Sequence, residues 1–321
     1  MTVSGEIGAA GGDMRHALAP LVLEIWPSEE KAIDILLNDV SFLEALDALA
    51  RMTDREGRRS AIGRLDEYAF ILLKPDVAMA GGDALVLDFL AEHGFSCVAQ
   101  AVLQFNELRS RTLWQYSFVG DDPVRMRIID ALLQYGPTTI LFLRADIGGS
   151  ACSRLSKLKG AANPAVRTGG TLRDVIGCPN TFLSGVHVPD TTIEMLRELP
   201  VLLDACDWSV WLRAAMGDET IAPVRTTISP APPIREEGHR YKACASESMR
   251  EHQDLWETIA SHRAYSVGCR KAIDAIEQLL TDVSPQSSEH WRLIERLTYL
   301  FDGPLPIGGR GPASPHRVAA G

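Results

Sequence analysis

Four short stretches of this chain carry residue types able to handle phosphate. FILLKPD (residues 70–76) is an apolar run ending in Lys74, Pro75 and Asp76. KGAANPA (159–165) contains Lys159 and Asn163, GTLR (170–173) ends in Arg173, and VHVPD (186–190) holds His187 and Asp190. Transfer of a γ-phosphoryl group needs an in-line nucleophile and cations that neutralise the phosphate oxygens. A neutral imidazole nitrogen is a competent nucleophile near pH 7, and a carboxylate on the other ring nitrogen fixes the tautomer. Lys74 and Arg173 supply cations, and arginine can grip two phosphate oxygens at once.

The elements around these stretches are set by hydrophobic periodicity and turn residues. Two or three helices fit residues 16–52, and a charged stretch, TDREGRRSAIGRLDE (53–67), separates them from the first strand. Residues 68–73 read as that strand, buried and ending at the Lys-Pro turn. GGDALVLDFLAEHGF (81–95) is an amphipathic helix closed by Gly94, and SCVAQAVLQF (96–105) is strand-like. Helical material fills 106–135 with a break around Gly120–Pro123, TTILFLRAD (138–146) is another strand, and a Gly/Lys/Pro-rich loop region comes next. TFLSGVHV (181–188) looks like a fourth strand, and a helix begins near Pro189 and Asp190. The order β-α-β-α-β-loop-β-α predicts an α+β fold with a ferredoxin-like βαββαβ core. CDWSVWLRAAMGDE (206–219) extends that core. A proline-rich connector and helices over 246–282 and 287–301 precede a disordered tail.

In order and spacing the four stretches resemble the signatures of the nucleoside diphosphate kinases. Asn163 to Arg173 is ten residues and Arg173 to His187 is fourteen, both close to the family's intervals. The resemblance implies the family's fold over 66–205, with helical extensions over 1–65 and 206–321. It implies that His187 carries the phosphate and that Glu198, eleven residues on, is its carboxylate. Tyr116, in the LWQY segment, sits where the family has a tyrosine near the histidine. Lys74, Arg173, Ser184, Arg154, Lys157 and Asn163 are the expected nucleotide-binding residues, and Asp190 is expected to reach a nucleotide-bound Mg²⁺ through water. The chain also departs from the pattern. Arg154, Lys157 and Lys159 stand in a shifted arrangement where the family has an arginine, Ala162 replaces a threonine, and Ser184 replaces an asparagine that touches the sugar. Pro189 replaces a serine.

Bulk properties narrow the partners. With 32 Lys and Arg against 42 Asp and Glu, the formal net charge is −10, which argues against a general nucleic-acid or anionic-membrane surface. The six cysteines form no CxxC pair, so neither a metal-ligand spacing nor a dense disulfide framework is present. No apolar run approaches the roughly 20 residues of a membrane span, and the start lacks a secretory pattern. These features predict a cytoplasmic protein, and the family resemblance implies an enzyme acting on nucleoside tri- and diphosphates as a homo-oligomer. Two rival readings are a specialised kinase-like enzyme of a small-molecule pathway with another phosphorylated acceptor, and a catalytically silent module that binds nucleotide or a partner.

Overall fold

The computed structural model describes residues 19–53, 57–117, 122–146, 148–217, 253–265 and 269–302. The proline-rich connector and the tail expected to be disordered lie outside them.

Four strands form one antiparallel sheet: β1 (Tyr68–Leu73), β2 (Phe95–Leu103), β3 (Thr138–Ala145) and β4 (Val186–His187), in the spatial order β2-β3-β1-β4. That order, with crossover helices between strands, is the ferredoxin-like arrangement. Every residue of β1 is buried, as expected of a strand flanked on both edges by β3 and β4. Its end carries the chemistry to the sheet's rim, because Leu72 pairs with His187 and Leu73 with Val186.

The N-terminal helices are α1 (Glu30–Leu36), α2 (Val40–Met52) and α3 (Arg58–Gly63). Asp39 caps α2 by accepting from the Ser41 and Phe42 amides at 2.8 and 3.3 Å. From Gly57 on, the charged stretch expected to be a separator is instead folded. Ile62 in α3 and Leu65 just after it are fully buried, which pulls the segment onto the core despite its charges. Between β1 and β2 lie α4 (Pro75–Met79) and α5 (Asp83–Glu92), and between β2 and β3 lie α6 (Glu107–Leu113) and α7 (Pro123–Gln134).

Two expectations for the next region need correction. The stretch read as loop contains α8 (Ala151–Lys159), capped by the Ser150 hydroxyl, and a short α9 (Leu172–Val175). The fourth strand is only two residues long. The Asn180 side chain accepts from the amides of Phe182 and Leu183 at 3.1 and 2.8 Å, holding them in a turn rather than a ladder. Gly185 then turns the chain at φ +70°, where a Cβ would meet the Ile176 side chain at 2.7 Å.

After β4 come α10 (Thr192–Leu202) and α11 (Ala205–Ala215), and Trp211 of α11 stacks on Phe142 of β3. Three C-terminal helices complete the described chain: α12 (Gln253–Tyr265), α13 (Arg270–Asp282) and α14 (Ser288–Asp302). Of the stretch expected to be helical over 246–282, α12 and α13 are described, residues 246–252 and 266–268 lie outside the described residues, and Cys269 stands in extended geometry before α13.

Buried residues fall into distinct clusters. The largest joins α1 and α2 to the sheet and α10. A second joins Val124 and Ile128 of α7 and Phe182 to Trp256, Ile276, Leu279 and Leu297 of the C-terminal helices.

Candidate active site

A cavity of about 140 Å³ opens where β1 ends beside β4. Its walls are Lys74, Ser184, Val186 and His187 from the sheet rim, Arg173 from α9, Trp114 from the end of α6, and Thr181 and Phe182 from the turn before β4. Arg125, Ile129, Leu132 and Leu133 of α7 complete it. Three cations and no carboxylate are among these lining residues.

The Lys-Pro turn builds the rim. Pro75 opens α4, where its missing amide costs no helical bond. The Lys74 amide donates to the Gly185 carbonyl at 3.0 Å, and the fully buried Asp76 accepts from the Gly185 amide at 2.7 Å. The β1 and β4 ends are therefore stitched together from both sides. Lys74 Nζ donates to the Ser184 hydroxyl at 2.9 Å and to the Phe182 carbonyl at 3.2 Å, with Asp76 4.0 Å away. Burial lowers the Lys74 pKa below the usual lysine value; Asp76 opposes that shift, while Arg173 and Arg125 add to it.

Arg173 is buried, and each of its three nitrogens donates to a backbone carbonyl: Ser184 at 2.9 Å, Gly160 at 2.8 Å and Val186 at 2.7 Å. Burial brings its pKa down to about 10, so it stays charged at neutral pH.

His187 Nε2 lies 2.8 Å from Glu198 Oε2, and the Trp114 indole Nε1 lies 3.3 Å from His187 Nδ1. An indole only donates and an ionised carboxylate only accepts. The pair of contacts therefore selects the tautomer with hydrogen on Nε2 and the lone pair on Nδ1. That lone pair is turned to Trp114, whose ring meets the imidazole edge-on at 5.4 Å and stacks on Phe105 at 5.9 Å. Glu198 is buried on α10. One turn earlier Glu194 has its pKa raised to about 7 by burial and by the Glu198 charge.

The cavity and its carboxylate thus gather Lys74, Arg173, Ser184, His187 and Glu198. The other expected site residues stand elsewhere. The Tyr116 hydroxyl donates to Asp39 at 3.0 Å, and its ring lies under the Arg197 guanidinium at 5.3 Å. Arg154 packs over the Phe95 ring at 4.6 Å and donates to the His93 carbonyl. Lys157 is exposed, and Asn163 is exposed with its side chain accepting from the Ala165 amide at 2.9 Å. Asp190 pairs with Lys159 at 3.3 Å and accepts from the Ser156 hydroxyl. Burial would raise the Asp190 pKa, but Lys159 and Ser156 hold it below the usual value, and His187 is close enough to contribute.

Sequence reading passed over Trp114, Arg125, Thr181 and Phe182. One signal was available: Arg125, Ile129, Leu132 and Leu133 fall at helical spacing, placing a cation on the apolar stripe of α7.

No protein-family model matches the chain. Curated relatives do. A nucleoside diphosphate kinase of Rickettsia bellii is 26% identical over 136 residues, which is 41% of this chain and 90% of that enzyme. One of Methanobrevibacter smithii is 24% identical over 147 residues, 45% of this chain and 93% of that enzyme. Among solved structures, nucleoside diphosphate kinase from Encephalitozoon cuniculi aligns over 42% of this chain and 87% of its own at 20% identity, TM-score 0.37. That of Aquifex aeolicus aligns over 44% and 96% at 17% identity, TM-score 0.36. This longer polypeptide carries a nucleoside-diphosphate-kinase-like domain, distantly related to those enzymes.

Proposed function

We propose that the domain over residues 66–205 moves the γ-phosphoryl group of a nucleoside triphosphate through His187 to a nucleoside diphosphate. One observation carries the reading: the His187–Glu198 pair leaves the Nδ1 lone pair at a cavity lined by Lys74, Arg125 and Arg173 and by no carboxylate. In the first half-reaction Nδ1 attacks the γ-phosphorus, the bond to the β–γ bridging oxygen breaks, and the diphosphate leaves with that electron pair. The ring keeps its Nε2 hydrogen and becomes cationic, so the Glu198 carboxylate beside it is stabilising. The acceptor's terminal phosphate oxygen then attacks the phosphohistidine and frees Nδ1. Trp114 must release Nδ1 before the first attack. Lys74 and Ser184, already bonded to each other, face the transferring oxygens.

Among the described residues no cluster of three or more metal-ligating side chains occurs. The Mg²⁺ of this reading is one carried by the nucleotide's own phosphates, as Mg²⁺ is often held by one carboxylate, waters and phosphate. The family resemblance makes Asp190 the carboxylate expected to reach it through water, although its carboxylate is held by Lys159 and Ser156 outside the cavity lining, and the ion would supply charge neutralisation. No helix among the described residues is long and apolar enough to cross a membrane. A cytoplasmic homo-oligomer is part of the same reading, and sedimentation of the full chain checks the assembly.

Incubation with [γ-³²P]ATP and Mg²⁺ tests the proposal. The expected result is an acid-labile label on the wild type, absent from His187→Ala and discharged by nucleoside diphosphates. Two observations favour second readings. Ala162, Ser184 and Pro189 thin the contacts expected for ordinary nucleotides, which suits a specialised acceptor; discharge by one phosphorylated metabolite and not by nucleoside diphosphates would select it. The Trp114 cap on Nδ1 suits a silent module, which ATP binding without any label would select.

A further inference from the structure

The three cations of the cavity are not equally available to an anion. Arg173 uses all three nitrogens on backbone carbonyls at 2.7–2.9 Å. Lys74 is bonded to Ser184 and Phe182. Arg125 is different. Both of its terminal nitrogens reach the Thr181 hydroxyl at 3.4 Å, the outer limit of a hydrogen bond, and no carboxylate among the described residues lies within ion-pair distance. Its guanidinium carbon lies over the Phe182 ring, 4.4 Å from the centroid. A cation held over an aromatic face is restrained by the ring while its N–H groups stay open to a ligand. The neighbouring Arg111 is already committed to Asp130.

Thr181 is itself held from outside the kinase-like stretch. Asp302, at the end of α14, accepts from the Thr181 amide at 3.0 Å and from its hydroxyl hydrogen. With that hydrogen committed to Asp302, the oxygen lone pairs of Thr181 are what Arg125 meets. Asn180 next door donates to Thr298 of α14 at 3.1 Å.

We propose that Arg125 is the residue that grips the phosphoryl oxygens bidentately in this cavity, and that Asp302 is a positioning residue that aims it through Thr181. The identity of the anion rests on the phosphotransfer reading; the anion site itself does not. A cation-lined cavity without a carboxylate is unfavourable when empty, and a bound phosphate relieves the repulsion among Lys74, Arg125 and Arg173.

Binding of inorganic pyrophosphate to the full chain, measured by calorimetry, tests this without any turnover. Arg125→Lys keeps the charge over Phe182 but loses the fork, and is expected to weaken binding about 10-fold. Arg125→Gln is expected to weaken it about 100-fold, the scale of lost hydrogen bonds to a charged group. Asp302→Ala is expected to weaken it about 3- to 10-fold, and Asp302→Asn, which can still accept from Thr181, to restore most of that loss. Equal pyrophosphate affinity in wild type and both Arg125 variants, or no pyrophosphate binding by the wild type, overturns the proposal. Equal affinity in Asp302→Ala removes Asp302 from it. If Arg125-dependent binding appears but His187 never labels, the phosphotransfer reading falls alone. If His187 labels in Arg125→Gln with an unchanged KM for ATP, the present proposal falls alone.

Discussion

The two walls of the cavity are both held by segments outside the kinase-like stretch, but by opposite kinds of force. The Trp114 wall is held by a buried charge pair. Asp39, at the start of α2, accepts five hydrogen bonds: two from the α2 amides, one each from Gln115 and Tyr116, and one from Arg197 at 3.0 Å. Arg197 in turn donates to the Thr112 and Leu113 carbonyls that immediately precede Trp114. The Thr181–Phe182 wall leans on apolar packing from α12–α14, with polar contacts from Asp302 and Thr298 at its edge. A charge network concentrates its dependence in one or two residues, whereas apolar packing spreads it over many.

That contrast gives the largest expected effect. Asp39→Ala leaves the Arg197 guanidinium buried without its partner, and breaking such a pair from one side costs about 3–5 kcal/mol. Both side chains are under 5% exposed, so solvent offers little relief. Urea unfolding should show this loss, together with faster solvent exchange of the Trp114 indole hydrogen. Ile276→Ala, in the opposite wall, should cost about 2–3 kcal/mol, the lower half of the range for such truncations. It should leave the indole exchange unchanged. Equal indole exchange in the two variants would erase the distinction between the walls.

The walls also differ in how legible they were. The sheet rim could be read because its elements are local: β1 is a continuous apolar run ended by Lys74 and Pro75, and its limits match expectation. His187, Lys74 and Arg173 were found through short motifs. The fourth strand was over-extended because TFLSGVHV has strand-like composition, while the bonds from Asn180 that divert it come from one side chain. Helix α8 was missed because its lysines and serines look like loop, and its apolar contacts are with β1 and α10, far along the chain. The displacement of Tyr116 was not legible for a similar reason. Its partner Asp39 is 77 residues away, and nothing local in LWQY says which aromatic ring meets the histidine.

Trp114 itself provides a smaller test. If its indole caps the Nδ1 lone pair, Trp114→Phe removes a hydrogen bond worth about 0.5–1.5 kcal/mol and exposes the nucleophile. Initial phosphohistidine formation should then rise, by up to about 10-fold, with little change in thermal stability. A slower rate would mean that Trp114 serves the bound substrate more than it blocks the free histidine.

The smallest effect separates the walls by pH. On the charged side, Glu194 has its pKa raised from 4.5 to about 7, first by burial and then by Glu198. Between those values the folded chain holds a proton that the unfolded chain has lost, so this group's contribution weakens stability as pH rises through that window. On the apolar side, burial lowers the His290 pKa below 6.5, where its ring sits 5.7 Å from Tyr135. There the unfolded chain takes up its proton first as pH falls, so stability is lost in the acid direction. Glu194→Gln should therefore flatten the decline between about pH 4.5 and 7 and raise the melting temperature at pH 7.5 relative to wild type. His290→Gln should flatten only the acid-side loss below pH 6.5. Melting curves across that range for both variants would show the two slopes removed one at a time, and a wild-type slope surviving in Glu194→Gln would place its origin outside the Glu194–Glu198 pair.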